Sequence, residues 1–446
     1  MSKNHYQYID LYREQSENIK RHSADLLNSG RDAAFERFVQ VGFPTSDDEL
    51  YRNLDLSEQL AVDYGLNINR LQIPVNPSEA FRCNVPSIHS YLYYVINDRF
   101  YAAKNSVALP DGVIVGSLSD VARCQPELVA PYFARLSSRL TDGFTTFNAA
   151  FAQDGFFIYI PDNVILEHPV QIVNIMRSDV DFMANSHNIV IIGKNAKAQI
   201  LVCDHTADSV RFFENRVTEV FVGENAVYEH YKLENTNEQN TNVSTLLIKQ
   251  NAKSEVLTNI VTLHNGITRN TVEIDLDGEH CQTALCGMVV TDKTQNVDNH
   301  TVINHNQPNC HSSENFKYVL NERSSCGFTG KILVAKDAQK TAAYQSNKNL
   351  LLTRDARIRT RPTLEIYADD VKCSHGATTG QLDEQALFYL RQRGISCGEA
   401  RLLLLYAFTA DIVENVKIEG LRERLKMMIE KRLRGESSKC DGCTIC

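Results

Sequence analysis

The chain has 446 residues, of which 43% are hydrophobic, and its formal net charge is −9. This charge argues against a nucleic-acid-binding protein, because such proteins usually carry a basic surface. No run of about 18 apolar residues occurs and the N-terminus lacks the apolar core of a signal peptide, so we expect no membrane contact. The 12 scattered cysteines indicate reduced thiols and a cytoplasmic location.

Residues 1–150 are predicted to be mostly helical. Four apolar residues recur at near-helical spacing, as an amphipathic helix requires: Leu26, Leu27, Phe35 and Phe38. Ser46 followed by Glu49 fits a capping box that would begin another helix. No group of residues in this region suggests catalysis.

Residues 151–380 contain a repeated turn that is followed each time by a β-like run. The turn recurs at roughly 27–30-residue intervals, as in Gly193–Ala196, Gly223–Ala226 and Lys249–Ala252. No helical pattern interrupts the region, which argues against βαβ units. The pattern favours a mainly β fold built on a parallel β-helix, and an antiparallel sandwich is the alternative.

Two stretches of this middle region suggest ligands only weakly. The histidine-rich stretch 299–311 could bind a metal, but its spacing matches no zinc template. The stretch 327–331 resembles a phosphate-binding loop, but Ser325 and Ile332 depart from the Walker pattern. We therefore expect this chain to bind no nucleotide.

Residues 381–446 are predicted to form a helical domain. Asp383 can cap a first helix that ends at Gly394, and Ser396 with Glu399 forms a second capping box. The apolar run 402–408 is too short to cross a bilayer and is expected to be buried in the core or against a partner. A last helix is expected to carry an apolar stripe, with Glu430 pairing with both Lys426 and Arg434.

The chain ends in Cys440, Cys443 and Cys446, a spacing that can bind soft metals or an iron–sulfur cluster. No fourth ligand lies nearby in the sequence, so a tail that binds no metal is the alternative.

A thiol and an imidazole lie two residues apart where the β region meets the helical region. On an extended chain, Cys373 and His375 would point to the same face and could meet one ligand. Gly376 and Gly380 suggest a tight turn at this point. The alternative is an ordinary turn in which both side chains are packed or solvated.

Four stretches resemble the SufB/SufD family of scaffold subunits from the SUF iron–sulfur cluster assembly machinery. The most specific runs from Pro362 to Thr378, and its Ser-His-Gly-Ala-Thr segment is similar to the SufD branch of the family. The others are Gly42–Thr45 with the following Tyr51, the stretch His300–Lys317, and Phe388–Ile395.

The resemblance implies a right-handed parallel β-helix between helical regions, and a non-catalytic scaffold in a complex with SufB and the ATPase SufC. It implies that His375 and, less firmly, Cys373 contact a transient cluster shared with SufB. It also implies a SufC-docking surface, formed by Phe388, Tyr389, Leu390, Arg391 and Arg393. In isolation such a chain could form a homodimer. A polysaccharide-active β-helix enzyme is the alternative, although no clusters of carboxylates support it.

Overall fold

The computed structural model describes residues 5–71, 88–102 and 108–436. The helices before residue 152 are α1 (Tyr6–Arg21), α2 (Asp25–Asn28), α3 (Arg31–Val41), α4 (Ser57–Leu60), α5 (Leu118–Cys124), α6 (Pro126–Val129) and α7 (Gly143–Phe151). Short 3₁₀ turns occur at Glu49–Tyr51 and Ser137–Arg139.

Strands begin at residue 91 and run without an intervening helix from residue 156 to residue 380. They are β1 (Tyr91–Ile96), β2 (Arg99–Ala102), β3 (Ile114–Ser117), β4 (Phe156–Ile160), β5 (Val170–Met176), β6 (Phe182–Ile192), β7 (Lys197–Thr206), β8 (Phe212–Val222), β9 (Val227–Asn235), β10 (Asn240–Gln250), β11 (Glu255–His264), β12 (Ile267–Leu276), β13 (Gln282–Thr291), β14 (Asn296–His305), β15 (His311–Leu320), β16 (Ser325–Val334), β17 (Thr341–Leu351), β18 (Arg357–Ile366) and β19 (Val371–Gly380).

These strands form a parallel β-solenoid of about eight turns. Each coil gives one strand to a ten-stranded sheet, in the order β19-β17-β15-β13-β11-β9-β7-β5-β1-β2. It gives the other to a nine-stranded sheet, in the order β18-β16-β14-β12-β10-β8-β6-β4-β3. The prediction of a parallel β-helix is therefore confirmed, and the antiparallel sandwich is wrong.

The repeated turn found in the sequence has a backbone cause. Asn195 and Asn225 occupy equivalent turn positions at φ of 55° and 56°, a region that asparagine tolerates better than most residues. Their side chains form a ladder between coils, because Asn225 donates to Asn195 at 2.9 Å and Asn195 donates to Asn163 at 2.8 Å. The ladder thus ties three successive turns together.

The interior of the coil, which we call the lumen, is lined by alternate residues of both sheets. Its apolar part includes Ile172, Ile200, Val220, Ile274 and Phe316, each fully or almost fully buried. Burying these side chains provides the main driving force for stacking one coil on the next.

Helices cover the outer faces of both sheets. Phe144 and Phe147 of α7, together with aromatic residues of α1 and α3, pack on Phe213 of the nine-stranded sheet. The outer face of the ten-stranded sheet is covered by α9 (Cys397–Glu414) and α10 (Glu419–Leu433), which follow the shorter α8 (Glu384–Gln392). None of the described helices is long and apolar enough to cross a membrane.

Polar contacts hold α9 and α10 to the solenoid. Lys317 Nζ donates to the Phe408 carbonyl at 2.7 Å, and Asn259 donates to the Ile412 carbonyl at 2.9 Å. The guanidinium of Arg432 bonds Asp292 at 2.8 Å, and these contacts keep the pKa of Asp292 low although burial opposes its ionisation. The buried members of the apolar run, Leu402 and Leu405, therefore lie in the core of this chain.

Two of the predicted caps are confirmed and one is wrong. The side chain of Asp383 accepts from the backbone of Gln385 and Ala386, and Ser396 accepts from Glu399. Ser46 begins no helix, because the segment after it is only a 3₁₀ turn and Asp48 accepts the hydrogen bond from the Thr45 backbone instead.

The predicted charge pairs on the last helix are partly correct. Glu430 pairs with Arg434 at 3.0 Å, as expected. Lys426 instead pairs with Glu414 at 3.1 Å and Glu423 at 3.2 Å. The packing of α9 beside α10 brings Glu414 within reach of Lys426, which spacing along one helix could not predict.

The N-terminal region also contributes strands to the sheets, since β1 pairs in parallel with β5. The domain boundaries at residues 150 and 380 stay predictions.

Candidate functional site

The last coil of the solenoid consists of β18 and β19, and no described strand stacks on its far side. Within the described residues, β19 pairs only with β17 and β18 pairs only with β16, so each strand ends its sheet. Edge strands of this kind present unpaired backbone N–H and C=O groups, which can hydrogen-bond a strand from another chain. Apolar side chains lie exposed at this end, namely Tyr344, Ile366 and Tyr367.

Cys373 and His375 lie on β19, on the side that faces the lumen. Cys373 is in register with Ala343 and His375 with Gln345, and both β17 residues are buried. Cys373 is half-buried against the lumen core, and this burial raises the pKa of its thiol. His375 is exposed, and its imidazole makes no hydrogen bond with the described residues. The expectation that both side chains share a face is confirmed.

The glycines next to this pair do not form the predicted turn. Gly376 and Gly380 belong to β19, and neither is among the glycines with positive φ. A Cβ atom added at either position would meet nothing within 4 Å. Gly376 and Gly380 are in register with Ser346 and Leu350, so both lie on the outer face of β19, opposite His375.

The donor set at this end is incomplete. Thiolate sulfur and imidazole nitrogen both suit iron, but a cluster usually takes four protein ligands. Among the described residues, no three His, Cys, Asp or Glu side chains come together in a way that could hold a metal ion. A cluster that contacted Cys373 and His375 would therefore need further ligands from another molecule.

The histidine-rich stretch and the glycine pair of β16 have structural roles. His305 is buried and bonds Ser312 at 2.8 Å, and burial lowers the pKa values of His300 and His305 to about 3 and 4. Gly327 and Gly330 lie inside an extended strand, where Cβ atoms would collide with Asp298 and Gln345. Neither stretch has the geometry of the ligand site that its sequence suggests.

A second surface lies on α8. Phe388 and Tyr389 are 62% and 56% exposed, whereas Leu387 on the opposite side of the helix is buried. Arg393 stacks over the Tyr389 ring, with its guanidinium carbon 4.9 Å from the ring centroid. Gly394 ends the helical segment at φ 84°. Leu390 is half-buried and Arg391 is exposed, so this part of the predicted docking surface is accessible.

Cys440, Cys443 and Cys446 lie outside the described residues. Sequence reasoning missed Glu314 and Gln345, which the structure places in the lumen below His375. Only the register between coils brings these residues together, so no local signal could have found them.

Family models match almost the whole chain. Residues 174–408 match the SufBD core domain of the SUF system for iron–sulfur cluster assembly, and residues 2–172 match the SufBD protein N-terminal region. The chain belongs to the SufBD family. The resemblance inferred from the sequence is therefore confirmed, and SufBD proteins take part in iron–sulfur cluster assembly.

Individual relatives agree with this membership. An iron–sulfur cluster assembly SufBD family protein of Synechocystis is 30% identical over 91% of each chain. The iron–sulfur cluster assembly protein SufD of Escherichia coli is 32% identical over 55% of this chain and 58% of its own length. SufD of Bacillus subtilis is 28% identical over 72% of this chain and 74% of its own length.

Proposed function

We propose that this chain is a SufD-type scaffold that assembles with SufB and with the ATPase SufC to support formation of iron–sulfur clusters. One observation carries the proposal: Cys373 and His375 face the lumen on a terminal strand whose outer edge pairs with no other described strand. The cluster is the cargo of the complex, and this chain provides part of the surface on which it forms.

The open coil is the proposed docking site for SufB. A partner of the same family would carry a similar solenoid, and pairing of edge strands would continue the sheets from one chain into the other. Such pairing would cover the exposed Ile366 and Tyr367. A second copy of this chain could use the same edges, which accounts for a homodimer when SufB is absent.

The incomplete donor set supports a cluster site shared between the two chains. His375 and Cys373 supply at most two ligands, and pairing of the edges would bring side chains of SufB over the same lumen opening. Exogenous sulfide or thiols could complete the coordination during assembly.

The helix α8 is the proposed docking site for SufC. Phe388 and Tyr389 form an exposed aromatic pair, and aromatic and arginine side chains often dominate binding at protein interfaces. Because α9 and α10 cover apolar residues of the ten-stranded sheet, deleting residues 381–446 would damage the solenoid itself. Point substitutions on α8 test docking without that damage.

We expect the double variant Phe388→Ser/Tyr389→Ser to lose SufC while retaining SufB. Loss of two interface aromatics typically weakens binding by ~2 kcal/mol or more, which corresponds to about 30-fold in affinity. The melting temperature should stay near that of the wild type, because both side chains are exposed. Co-purification of the co-expressed subunits, quantified by band intensity, measures the effect.

Met427→Ser is the matched control, since Met427 is 47% exposed on α10. Undiminished SufC with the double variant would show that α8 is not the docking site.

In this proposal the chain performs no chemistry of its own, and ATP hydrolysis belongs to SufC. Helices cover part of the outer face of each sheet, where a polysaccharide-active solenoid would need an open groove. This arrangement disfavours the enzymatic alternative. The free described cysteines suit a reducing compartment such as the cytoplasm.

The proposal as a whole is tested by co-expressing the chain with SufB and SufC and measuring subunit stoichiometry, iron and acid-labile sulfide in the purified complex. A complex that contains all three subunits and accumulates clusters is expected. A chain that joins neither partner would refute the proposal.

A further inference from the structure

Two buried polar side chains lie in the lumen directly below His375. Glu314 on β15 and Gln345 on β17 are only 1% and 3% exposed. The parallel register places Glu314 beside Gln345 and Gln345 beside His375. Neighbouring parallel strands are about 4.8 Å apart, so the three residues form a column that ends at the open coil.

One hydrogen bond of this column is already formed. Gln345 Nε2 donates to Glu314 Oε2 at 2.6 Å. The missing side chain of Gly330 makes room for this carboxamide, because a Cβ there would lie 2.3 Å from Gln345 Nε2. This hydrogen bond therefore orients the Gln345 carboxamide so that its nitrogen points toward Glu314.

The other end of the carboxamide has no partner. Among the described residues, Gln345 Oε1 is buried and accepts no hydrogen bond. A buried acceptor without a donor is unfavourable by about 1–3 kcal/mol, so such groups usually mark a contact made with something else. The next residue in the column is His375, whose imidazole also lacks a partner within the described part of the chain.

Histidines that bind metals usually donate their second ring N–H to a carbonyl or carboxylate oxygen. This contact fixes the tautomer and the ring orientation and makes the other nitrogen a better ligand. Gln345 Oε1 offers such an acceptor, and Glu314 holds Gln345 in place.

We propose that Gln345 and Glu314 are positioning residues for His375, with the imidazole N–H donating to Gln345 Oε1 once SufB covers the open coil. The free ring nitrogen then faces the site where iron and sulfide assemble. This inference rests on the proposed function, because it assumes that His375 contacts the cluster.

Glu314 is suited to this role. Burial raises the pKa of its carboxyl group to about 7, while the hydrogen bond from Gln345 favours the ionised form. Iron binding would place positive charge on the His375 imidazole. The Glu314 carboxyl group, two strands away in the same column, would stabilise that charge.

The test compares variants in the co-expressed complex with SufB and SufC. Gln345→Met keeps the approximate length of the side chain and removes its hydrogen bonds, and we expect iron and sulfide per complex to fall about tenfold. Glu314→Gln keeps the shape of the side chain and an oxygen that accepts from Gln345, but it removes the ionisable carboxyl group. A smaller fall is therefore expected. The double variant Glu314→Gln/Gln345→Glu exchanges donor and acceptor within the pair and again leaves an acceptor oxygen below His375, so it should recover part of the cluster content that Gln345→Met loses.

Gln199→Met is the matched control. Gln199 Nε2 donates to Glu229 Oε2 at 2.7 Å, which is a Gln–Glu hydrogen bond between neighbouring coils on the outer face of the sheet, far from β19. This variant should keep the cluster content of the wild type. Subunit stoichiometry and melting temperature are measured on every sample.

The outcomes separate the two proposals. If His375→Ala assembles clusters normally, the proposed function of this site fails. If His375→Ala loses clusters while Gln345→Met and Glu314→Gln retain them, only the positioning role is overturned. The positioning role is also overturned if Gln345→Met lowers stability or subunit stoichiometry in proportion to cluster content, or if the double variant Glu314→Gln/Gln345→Glu recovers nothing.

Discussion

His375→Ala should reduce the iron and acid-labile sulfide of the SufB–SufC-bound complex by about tenfold or more, since losing a ligand costs at least as much as losing its hydrogen-bonding partner. Folding and subunit stoichiometry should change little, because an exposed side chain on a terminal strand contributes little to stability. Cluster content per complex, measured chemically and by visible absorption, gives the result.

Two further variants make this result specific. His311→Ala removes another exposed histidine, on β15, and should leave cluster content unchanged. Cys373→Ala should have a smaller effect than His375→Ala, because the lumen core already partly covers its thiol. If His375→Ala retains the wild-type content, His375 is only a surface residue of the last coil.

The second large effect is expected from Ala377→Arg. Ala377 is exposed in the free chain and is in register with the buried Asn347, so its side chain lies on the lumen side of β19. An arginine there would be accommodated in water but would become a desolvated, unpaired charge beneath SufB, which is strongly unfavourable. We expect the amount of SufB that co-purifies to fall at least about tenfold.

Ser209→Arg is the control, because Ser209 is exposed on the turn after β7, and β7 is six strands from β19 in the sheet. It should bind SufB normally. Equal recovery of SufB with both variants would place the interface elsewhere.

The fold was predictable because each coil repeats the same local requirement. The backbone takes a positive φ at the turn of many coils, and the asparagines that occupy this position in two of them, Asn195 and Asn225, reveal it in the sequence. The alternation of apolar residues then identifies the strands between turns. The helix caps Asp383 and Ser396 were predictable for a similar reason, since capping depends on residues only two or three positions apart.

The candidate site was predictable only in part. Cys373 and His375 are close in sequence, so their shared face followed from strand geometry. The positions of Glu314 and Gln345 depend on how many residues each coil contains, and no local pattern reveals that register. Gly376 and Gly380 were misinterpreted because glycine occurs inside strands as well as in tight turns, and both residues belong to β19.

Charged residues inside the lumen were equally hidden from the sequence. Arg216 bonds Asp204 at 2.9 Å, and Lys232 donates to Asn270 at 2.8 Å, each on a different strand of the coil. Asp204 shares its strand face with Ile200 and Val202, and Arg216 shares its face with Val220, so the sequence shows isolated charges within an otherwise apolar face and no partner for them. Only the closure of the coil converts them into buried partners.

The central claim is that the open terminal coil pairs with SufB. Amide hydrogen exchange at β18 and β19 tests it most directly, with the free chain kept dilute enough to be monomeric, as verified by light scattering. We predict that amides within Arg357–Ile366 and Val371–Gly380 become strongly protected when SufB binds, while those of α8 respond to SufC alone. Unchanged exchange on both terminal strands in a complex that demonstrably contains SufB would contradict the account.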